Sequence, residues 1–213
     1  MRKLLVDRLK SEGIVKSRDV EKALLSVPRE AFVPKGSTRD AYHDRPLSIG
    51  KGQTISAPHM VAIMAENLDL KKGHKILEIG GGSGYHAAVI SRIIGEEGRV
   101  ISVEVVPELA ERARKALASA GIDNVTMITG DGSRGFPEEA PYDRIYYTCA
   151  APYVPEIMFE QLKVGGLLMS VEGDPYSTQR LIGYGKKEDG TFDKEVLSYC
   201  VFVPLVGEYG HRS

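Results

Sequence analysis

The 213-residue sequence has no tryptophan and only two cysteines, Cys149 and Cys200. Two cysteines without a CxxC spacing are too few for a disulfide framework, so we expect a reduced protein located in the cytoplasm. The five histidines include no HxxxH pair, and we therefore expect no bound metal.

The sequence also lacks an excess of charge of one sign. Its formal net charge is -1, which argues against attraction to nucleic acid or to an anionic membrane as the main activity. No apolar run approaches the roughly 18 residues of a membrane span. The N-terminal stretch "MRKLLVDRLKSEG" lacks the apolar region and the cleavage site of a signal peptide. We expect no membrane and no nucleic-acid partner; nothing in the sequence reports on oligomeric state, and our expectation is a monomer.

Hydrophobic residues make up 42% and charged residues 27% of the chain, and no linker or repeat divides it. These values fit one domain spanning residues 1–213. Residues 1–56 are predicted to form an N-terminal extension, with helices at 1–12 and 18–26 and an irregular loop at 33–53. Residues 57–213 are predicted to form the core.

Helical and strand-like patterns alternate in that core. Helical patterns occupy 57–68, 85–94, 107–121 and 154–163, and apolar strand-like runs occupy 75–80, 99–105, 125–129, 143–148 and 167–172. Such alternation predicts βαβ units and a mostly parallel sheet with helices on both faces. Two further β-rich runs, 180–187 and 196–205, flank an "EDGT" turn and predict an antiparallel hairpin at the sheet edge. The predicted fold class is α/β: a doubly wound, Rossmann-like sheet with an N-terminal helical extension.

The stretch "LEIGGGSGY" carries a glycine-rich turn where the first predicted strand of the core meets the next helix. Gly80, Gly82 and Gly84 suit a turn that accepts positive φ and lets a ligand approach the backbone. The dinucleotide fingerprint GxGxxG would need glycine at position 85, which is Tyr85. The pattern is instead ExGxGxG from Glu78, and it resembles the first motif of class I S-adenosylmethionine (AdoMet) methyltransferases.

Two acidic positions fit a nucleoside ligand at this turn. Glu104 ends the next strand, 20 residues after Gly84, where a carboxylate can accept hydrogen bonds from both ribose hydroxyls. Glu104 alone does not separate NAD from AdoMet. Asp131 and Gly132 follow the third strand, where class I methyltransferases typically contact the adenine. We expect AdoMet ahead of NAD, with S-adenosyl-L-homocysteine as the product.

A wider set of segments gives a more specific resemblance. They are "VPREAFVP" (27–34), "AYHDRPLSIGKGQTISAPHM" (41–60), "LEIGGGSGYHAAV" (77–89), "GDGSRGFPEEAPYDRI" (130–145), "VPEIMFEQLKVGG" (154–166) and "FVPLVG" (202–207). In this order they resemble the protein-L-isoaspartate (D-aspartate) O-methyltransferase family over nearly the whole chain. Methylation of an exocyclic amine loses support, because "YTCAAPY" (147–153) has no Asn or Asp before its proline.

The resemblance implies a protein repair enzyme. It would transfer the methyl group of AdoMet to the α-carboxylate of L-isoaspartyl residues in damaged proteins and peptides, with D-aspartyl residues as a further candidate substrate. The methyl ester would then collapse to a succinimide. The resemblance also implies that Ser56 is the active-site residue. The cofactor would be bound by Thr54, Ile55, Glu78, Gly80, Gly81, Gly82, Gly84, Glu104, Asp131 and Gly132.

Ser56 has two other interpretations in "GQTISAPHMV". As a nucleophile with His59 as its base it fails on mechanism, because no third residue nearby would orient His59. A substrate carboxylate with a pKa near ~4 is also already ionised at neutral pH and needs no base. The second alternative is a helix N-cap, since serine followed by proline and an apolar run is an ordinary helix start. In either role, the positive end of helix 57–68 is expected to face the substrate carboxylate.

Two functions from other classes stay open. An RNA methyltransferase would share the glycine region but lacks support from a basic patch. A nucleoside-sensing module would bind AdoMet without turnover. The chain also departs from the family pattern at Ser133 and Arg134, at 147–150 and at "SVEGD" (170–174), which leaves the pocket walls open.

Overall fold

A computed structural model of the protein describes residues 1–175 and 177–211; Tyr176, Arg212 and Ser213, which belong to the predicted 1–213 domain, lie outside the described residues. The α-helices of the described part are α1 (Arg2–Ser11), α2 (Arg18–Ser26), α3 (Pro58–Asn67), α4 (Tyr85–Ile94), α5 (Pro107–Ser119) and α6 (Glu156–Glu160). Its strands are β1 (Leu47–Gly50), β2 (Gln53–Ile55), β3 (Lys75–Ile79), β4 (Arg99–Glu104), β5 (Val125–Thr129), β6 (Tyr142–Ala151), β7 (Leu162–Glu172), β8 (Gln179–Lys186) and β9 (Phe192–Cys200).

Seven of these strands form one sheet in the order β5-β4-β3-β6-β7-β8-β9. The pairs from β5 through β7 are parallel, and β8 is antiparallel to both β7 and β9. The predicted α/β class and the antiparallel hairpin at the edge are therefore confirmed. Because β3 lies between β4 and β6, the carboxyl ends of these three strands meet at one place.

The side chains of β3 point alternately into two hydrophobic layers, one on each face of the sheet. Ile76 points to the layer formed with helices α1 to α5, whereas Leu77 and Ile79 point to the layer that contains Met158 of α6. Strands buried on both faces carry nearly continuous apolar runs, as these do. Since side chains alternate, Glu78 shares the Ile76 face, and its carboxylate is fully buried beneath the helices.

The predicted irregular loop at 33–53 was wrong in part. Residues Lys35–Asp40 form a 3-10 helix, and β1 and β2 form a separate antiparallel hairpin. Its two turn residues, Lys51 and Gly52, both have positive φ, of 56° and 72°. A two-residue hairpin turn of this kind usually carries Asn-Gly or Asp-Gly. Because the first turn residue is a lysine, the sequence lacks the residue pair that would have predicted this hairpin.

Two predicted boundaries were also wrong. The helix expected at 154–163 ends at Glu160. The next side chain, Gln161, bonds to the backbone of Phe136 and of Arg134, and the chain then enters the sheet at Leu162. The strand expected at 196–205 ends at Cys200. Residues 201–205 cross to the end of β6 instead, where Ala150 bonds to both Val203 and Leu205.

No helix within the described residues is long and apolar enough to cross a membrane.

Gln179 fixes the crossing segment at 201–205. Its buried side chain accepts a hydrogen bond from Phe202 N at 2.6 Å and donates one to Phe202 O at 3.1 Å. We expect Gln179→Ala to lower the free energy of unfolding by about 1–3 kcal/mol, because it leaves two buried backbone groups unpaired. Urea unfolding measures the change. Asn67→Ala, which removes one exposed amide contact to Ile63 O, is the control; an equal effect of both changes would contradict this role.

Candidate active site

The glycine-rich turn between β3 and α4 lies against the neighbouring strand β4. The amides of Gly80 and Gly81 both bond to Val103 O, at 2.9 and 3.1 Å. A Cβ at Gly81 would collide with Ser102 Oγ and with Met127. A larger residue at position 81 would have to shift Ser102 Oγ, which donates to Glu78, and the end of Met127; glycine allows the close approach without this disturbance.

Glu104 connects the end of β4 to the same turn. Its Oε2 accepts a hydrogen bond from Gly82 N at 2.7 Å, and its Oε1 accepts one from Val106 N at 2.8 Å. The carboxylate is 5% exposed, and Glu104 lines the cavity over the turn. Each oxygen keeps a second lone pair for a ligand hydroxyl. The predicted ribose site is therefore pre-organised by two backbone amides.

Glu78 lies deeper in the same cavity. Ser102 Oγ and Tyr146 OH both donate hydrogen bonds to its carboxyl group, the latter at 2.8 Å. Burial raises the pKa of Glu78 to about 7, although these two hydrogen bonds act in the opposite direction. Glu78 is thus an acidic group that changes charge near neutral pH, at the floor of the cavity.

Most of the other predicted cofactor residues line this cavity, and two do not. Thr54, Ile55, Gly80, Gly81, Gly82 and Gly132 line it together with Ser56, Glu78 and Glu104. Asp131 and Gly84 do not. Asp131 binds the amides of Ser133 and Glu208 through its two carboxylate oxygens. Gly84 has a φ of 82° and packs against Ala113 of α5, where a Cβ would come within 3.2 Å.

Ser56 lies between β2 and α3 and borders this cavity. The N-cap of α3 is Ala57, so Ser56 does not have the N-cap role that we considered as an alternative. Among the described residues, the Ser56 hydroxyl has no hydrogen-bond partner. Because it caps nothing, this hydroxyl is free to contact a ligand.

Asp44 caps helix α3 from the loop at 41–46. Its Oδ1 accepts a hydrogen bond from His59 N at 2.9 Å and contacts His59 Nδ1 at 2.9 Å. Its Oδ2 forms an ion pair with Arg8 at 2.8 Å. The expectation that this helix end faces the substrate carboxylate is not supported, since a protein carboxylate already occupies its first free amide.

Arg29 holds the backbone of Ser56. The side chain is fully buried; Nη2 donates to Ser56 O and Nε to Ala41 O, both at 2.8 Å. Its guanidinium carbon lies 4.9 Å from the ring centre of Tyr85. No local pattern predicts these contacts of Arg29 and Asp44, because their partners lie 12 to 36 positions away in the chain.

The positions that depart from the family pattern have local partners. Ser133 Oγ accepts a hydrogen bond from Tyr209 N at 3.1 Å, and Arg134 forms an exposed ion pair with Glu208. Glu172 accepts hydrogen bonds from Ser170 Oγ and Tyr184 OH, at 2.6 and 2.7 Å. These contacts bind Ser133, Arg134 and Glu172 to the scaffold, whereas Thr148 and Cys149 of the departing segment 147–150 line the cavity.

Within residues 1–175 and 177–211, no group of three or more His, Cys, Asp or Glu side chains is arranged to hold a metal ion. Cys149 and Cys200 are both free and buried.

The family model of Protein-L-isoaspartate(D-aspartate) O-methyltransferase matches residues 1–210. The chain belongs to this family. It is 52% identical to the protein-L-isoaspartate O-methyltransferase of Hyperthermus butylicus, over 99% of this chain and 90% of that protein. It is 53% identical to that of Methanopyrus kandleri, over 99% of this chain and 93% of that protein.

Solved structures agree with this membership. A protein-L-isoaspartate O-methyltransferase superposes with a TM-score of 0.87 at 36% identity, over 99% of this chain and 67% of that chain. A Plasmodium falciparum protein assigned to the same group, in complex with S-adenosyl-L-homocysteine, gives 0.85 at 29% identity, over 96% of this chain and 98% of that chain. The predicted family, enzyme class and cofactor, AdoMet, are confirmed at the level of the family.

The residues present fit AdoMet. A Cβ at Gly81 would disturb Ser102 and Met127, and the buried carboxylates of Glu78 and Glu104 line the same cavity as this glycine. Two carboxylates facing one cavity favour a ligand that carries positive charge and hydroxyl donors.

The pKa of Glu78 predicts a pH-dependent affinity. Below about 7 the carboxyl group is neutral, and above it the group is ionised. AdoMet carries a net positive charge, so its affinity should rise between pH 6 and pH 8, and Glu78→Gln should reduce this rise. Titration calorimetry with both proteins measures the difference. The amine of the ligand titrates equally in both experiments, so an identical pH dependence in wild type and variant would contradict the role of Glu78.

Proposed function

We propose that this protein transfers the methyl group of AdoMet to the α-carboxylate of L-isoaspartyl residues in damaged proteins and peptides. One observation carries the proposal beyond family membership. The cofactor cavity and a second cavity of about 240 Å³ share Thr54, Ser56, Thr148 and Val203. Ser56 therefore stands at the border between a place for the methyl donor and a place for a second molecule.

The second cavity suits a peptide. Its walls come from the loop at 46, the start of α3, the end of β9 and the crossing segment. They include Tyr199 of β9 and Val201 of the crossing segment, which are 68% and 73% exposed. An extended segment with exposed apolar side chains can lie beside an extended peptide backbone. The described residues that line this cavity include no lysine or arginine, so it offers no basic surface for an RNA backbone.

The reaction needs positioning more than acid or base catalysis. An isoaspartyl carboxylate is ionised at neutral pH. AdoMet supplies a methyl group on a sulfonium, which is a good leaving group. We infer that the Ser56 hydroxyl donates a hydrogen bond to the substrate carboxylate and holds one oxygen in line for attack. Orientation of this kind supplies roughly 7–11 kcal/mol in favourable systems.

The product explains why the activity would be repair. The carboxylate oxygen forms a bond to the methyl carbon as the carbon–sulfur bond breaks. The following backbone nitrogen can then attack the ester carbonyl and expel methanol, which gives a succinimide that water opens to aspartate or isoaspartate. Use of D-aspartyl residues is part of the same proposal. The cytoplasmic location and the monomeric state stay predictions from the sequence.

A peptide assay tests the reaction. With methyl-labelled AdoMet, a peptide containing isoaspartate should yield base-labile labelled methanol, and the same peptide with normal aspartate should not. The normal peptide presents its carboxylate one methylene away from the required position. Equal labelling of both peptides, or labelling of neither by protein that binds AdoMet, would overturn the proposed substrate; the second result would also favour the sensing alternative.

Replacing Ser56 tests its role. We expect Ser56→Ala to lower kcat about 10- to 100-fold, the effect of losing one hydrogen bond to a charged group, and to leave AdoMet affinity unchanged. Ser48→Ala is the matched control, because Ser48 is an exposed hydroxyl on the same hairpin, whose Oγ accepts from Gly50 N. Full activity of Ser56→Ala would show that the hydroxyl does not hold the substrate.

A further inference from the structure

His86, in the first turn of α4, is a buried polar residue that the proposed reaction does not use. Its side chain is 6% exposed, and neither ring nitrogen has a hydrogen-bond partner among the described residues. It lines the cofactor cavity together with Glu78 and Ser56. Buried polar atoms without a partner are destabilising, so an imidazole at this position calls for a ligand group.

The imidazole is neutral at physiological pH. Burial lowers the pKa of His86 to about 3. A neutral ring offers one N–H donor and one acceptor nitrogen, whichever tautomer is present. A charged histidine would repel a sulfonium cofactor in the same cavity, whereas a neutral ring adds a donor without that repulsion.

His86 and Glu78 serve the same end of the cavity. The His86 ring lies 4.8 Å from the ring of Tyr146, and the Tyr146 hydroxyl donates to Glu78 Oε1 at 2.8 Å. Glu104 and Gly132 belong to the other two strand ends, β4 and β5. The ribose hydroxyls match the carboxylate of Glu104, which leaves the amino-acid end of AdoMet for Glu78 and His86.

This amino-acid end carries an ammonium and a carboxylate. The ammonium matches the buried carboxyl group of Glu78 by charge. The carboxylate needs N–H donors, and His86 offers one at the N-terminal turn of a ten-residue helix, whose positive end also favours an anion. We propose that His86 binds the carboxylate of the methionyl end of AdoMet, with its ring N–H as the donor, while Glu78 faces the ammonium.

Binding experiments test this inference without any peptide substrate, so they do not depend on isoaspartyl specificity or on Ser56. The variants are His86→Gln, which keeps an N–H donor, and His86→Met, which has a similar size and no donor. We expect His86→Met to weaken S-adenosyl-L-homocysteine about 10- to 100-fold in calorimetry, and His86→Gln to restore most of the affinity.

Two analogues locate the contact. Methylthioadenosine lacks the whole amino-acid end, and decarboxylated AdoMet lacks only the carboxylate. Both should bind wild type and His86→Met with the same affinity. A weaker binding of decarboxylated AdoMet by His86→Met would assign the imidazole to the ammonium instead and overturn the proposal.

His74→Met is the control for loss of a histidine, since His74 lies outside the cavity and should leave all affinities unchanged. His86→Met should also unfold at the same or a higher temperature than wild type without ligand, because it removes unpaired polar atoms. Equal affinity of wild type and His86→Met for S-adenosyl-L-homocysteine would overturn the inference. An equal loss for methylthioadenosine would do the same, because it would report a deformed cavity.

Discussion

The carboxylate of Glu104 joins two parallel strands at the place where their ends must stay together. One oxygen binds the glycine-rich turn after β3 at Gly82, and the other binds the start of α5 at Val106. Backbone amides therefore hold both carboxylate oxygens of Glu104 in place. The turn, the cavity above it and the orientation of α4 all depend on this connection.

A second carboxylate, that of Asp44, helps to hold the segment that carries Ser56 at the border of the cavity. Asp44 comes from the N-terminal extension and caps α3, and Arg29 binds the carbonyl of Ser56 immediately before that helix. Together these contacts fix the backbone on both sides of Ser56, and no group of the described residues pairs with its hydroxyl. The N-terminal extension thus shapes the wall on which the second molecule is expected to bind.

The cavity also contains two groups whose protonation is set by burial, Glu78 and His86. Glu78 is held near its point of ionisation, and His86 is kept neutral. A cationic methyl donor in this cavity meets carboxylates and neutral donors and no cation from the described residues that line it. We expect this distribution of charge to favour AdoMet over its product, which lacks the positive charge of the sulfonium.

Local patterns were enough for the fold class. Alternating strands and helices predicted the parallel sheet, and the "EDGT" turn predicted the β8–β9 hairpin, because these signals depend on periodicity within a few residues. The β1–β2 hairpin was missed, since Lys51 at a positive φ leaves no turn signal. The end of β9 was misplaced, since the segment at 201–205 follows a buried side chain of another strand, Gln179, and not its own propensity.

The site shows the same division. The sequence by itself determined the glycine-rich turn and the family, because both depend on motifs of neighbouring residues. It also determined the acidic residues at the strand ends, because the order of strands in the sheet brings these ends together. Only the tertiary structure decided that Ala57 and not Ser56 is the N-cap of α3 and that Asp131 binds the C-terminal segment. It also decided that His86 has no hydrogen-bond partner in residues 1–175 and 177–211. Each of these depends on partners distant in the chain or on the absence of a partner, and no local pattern records either.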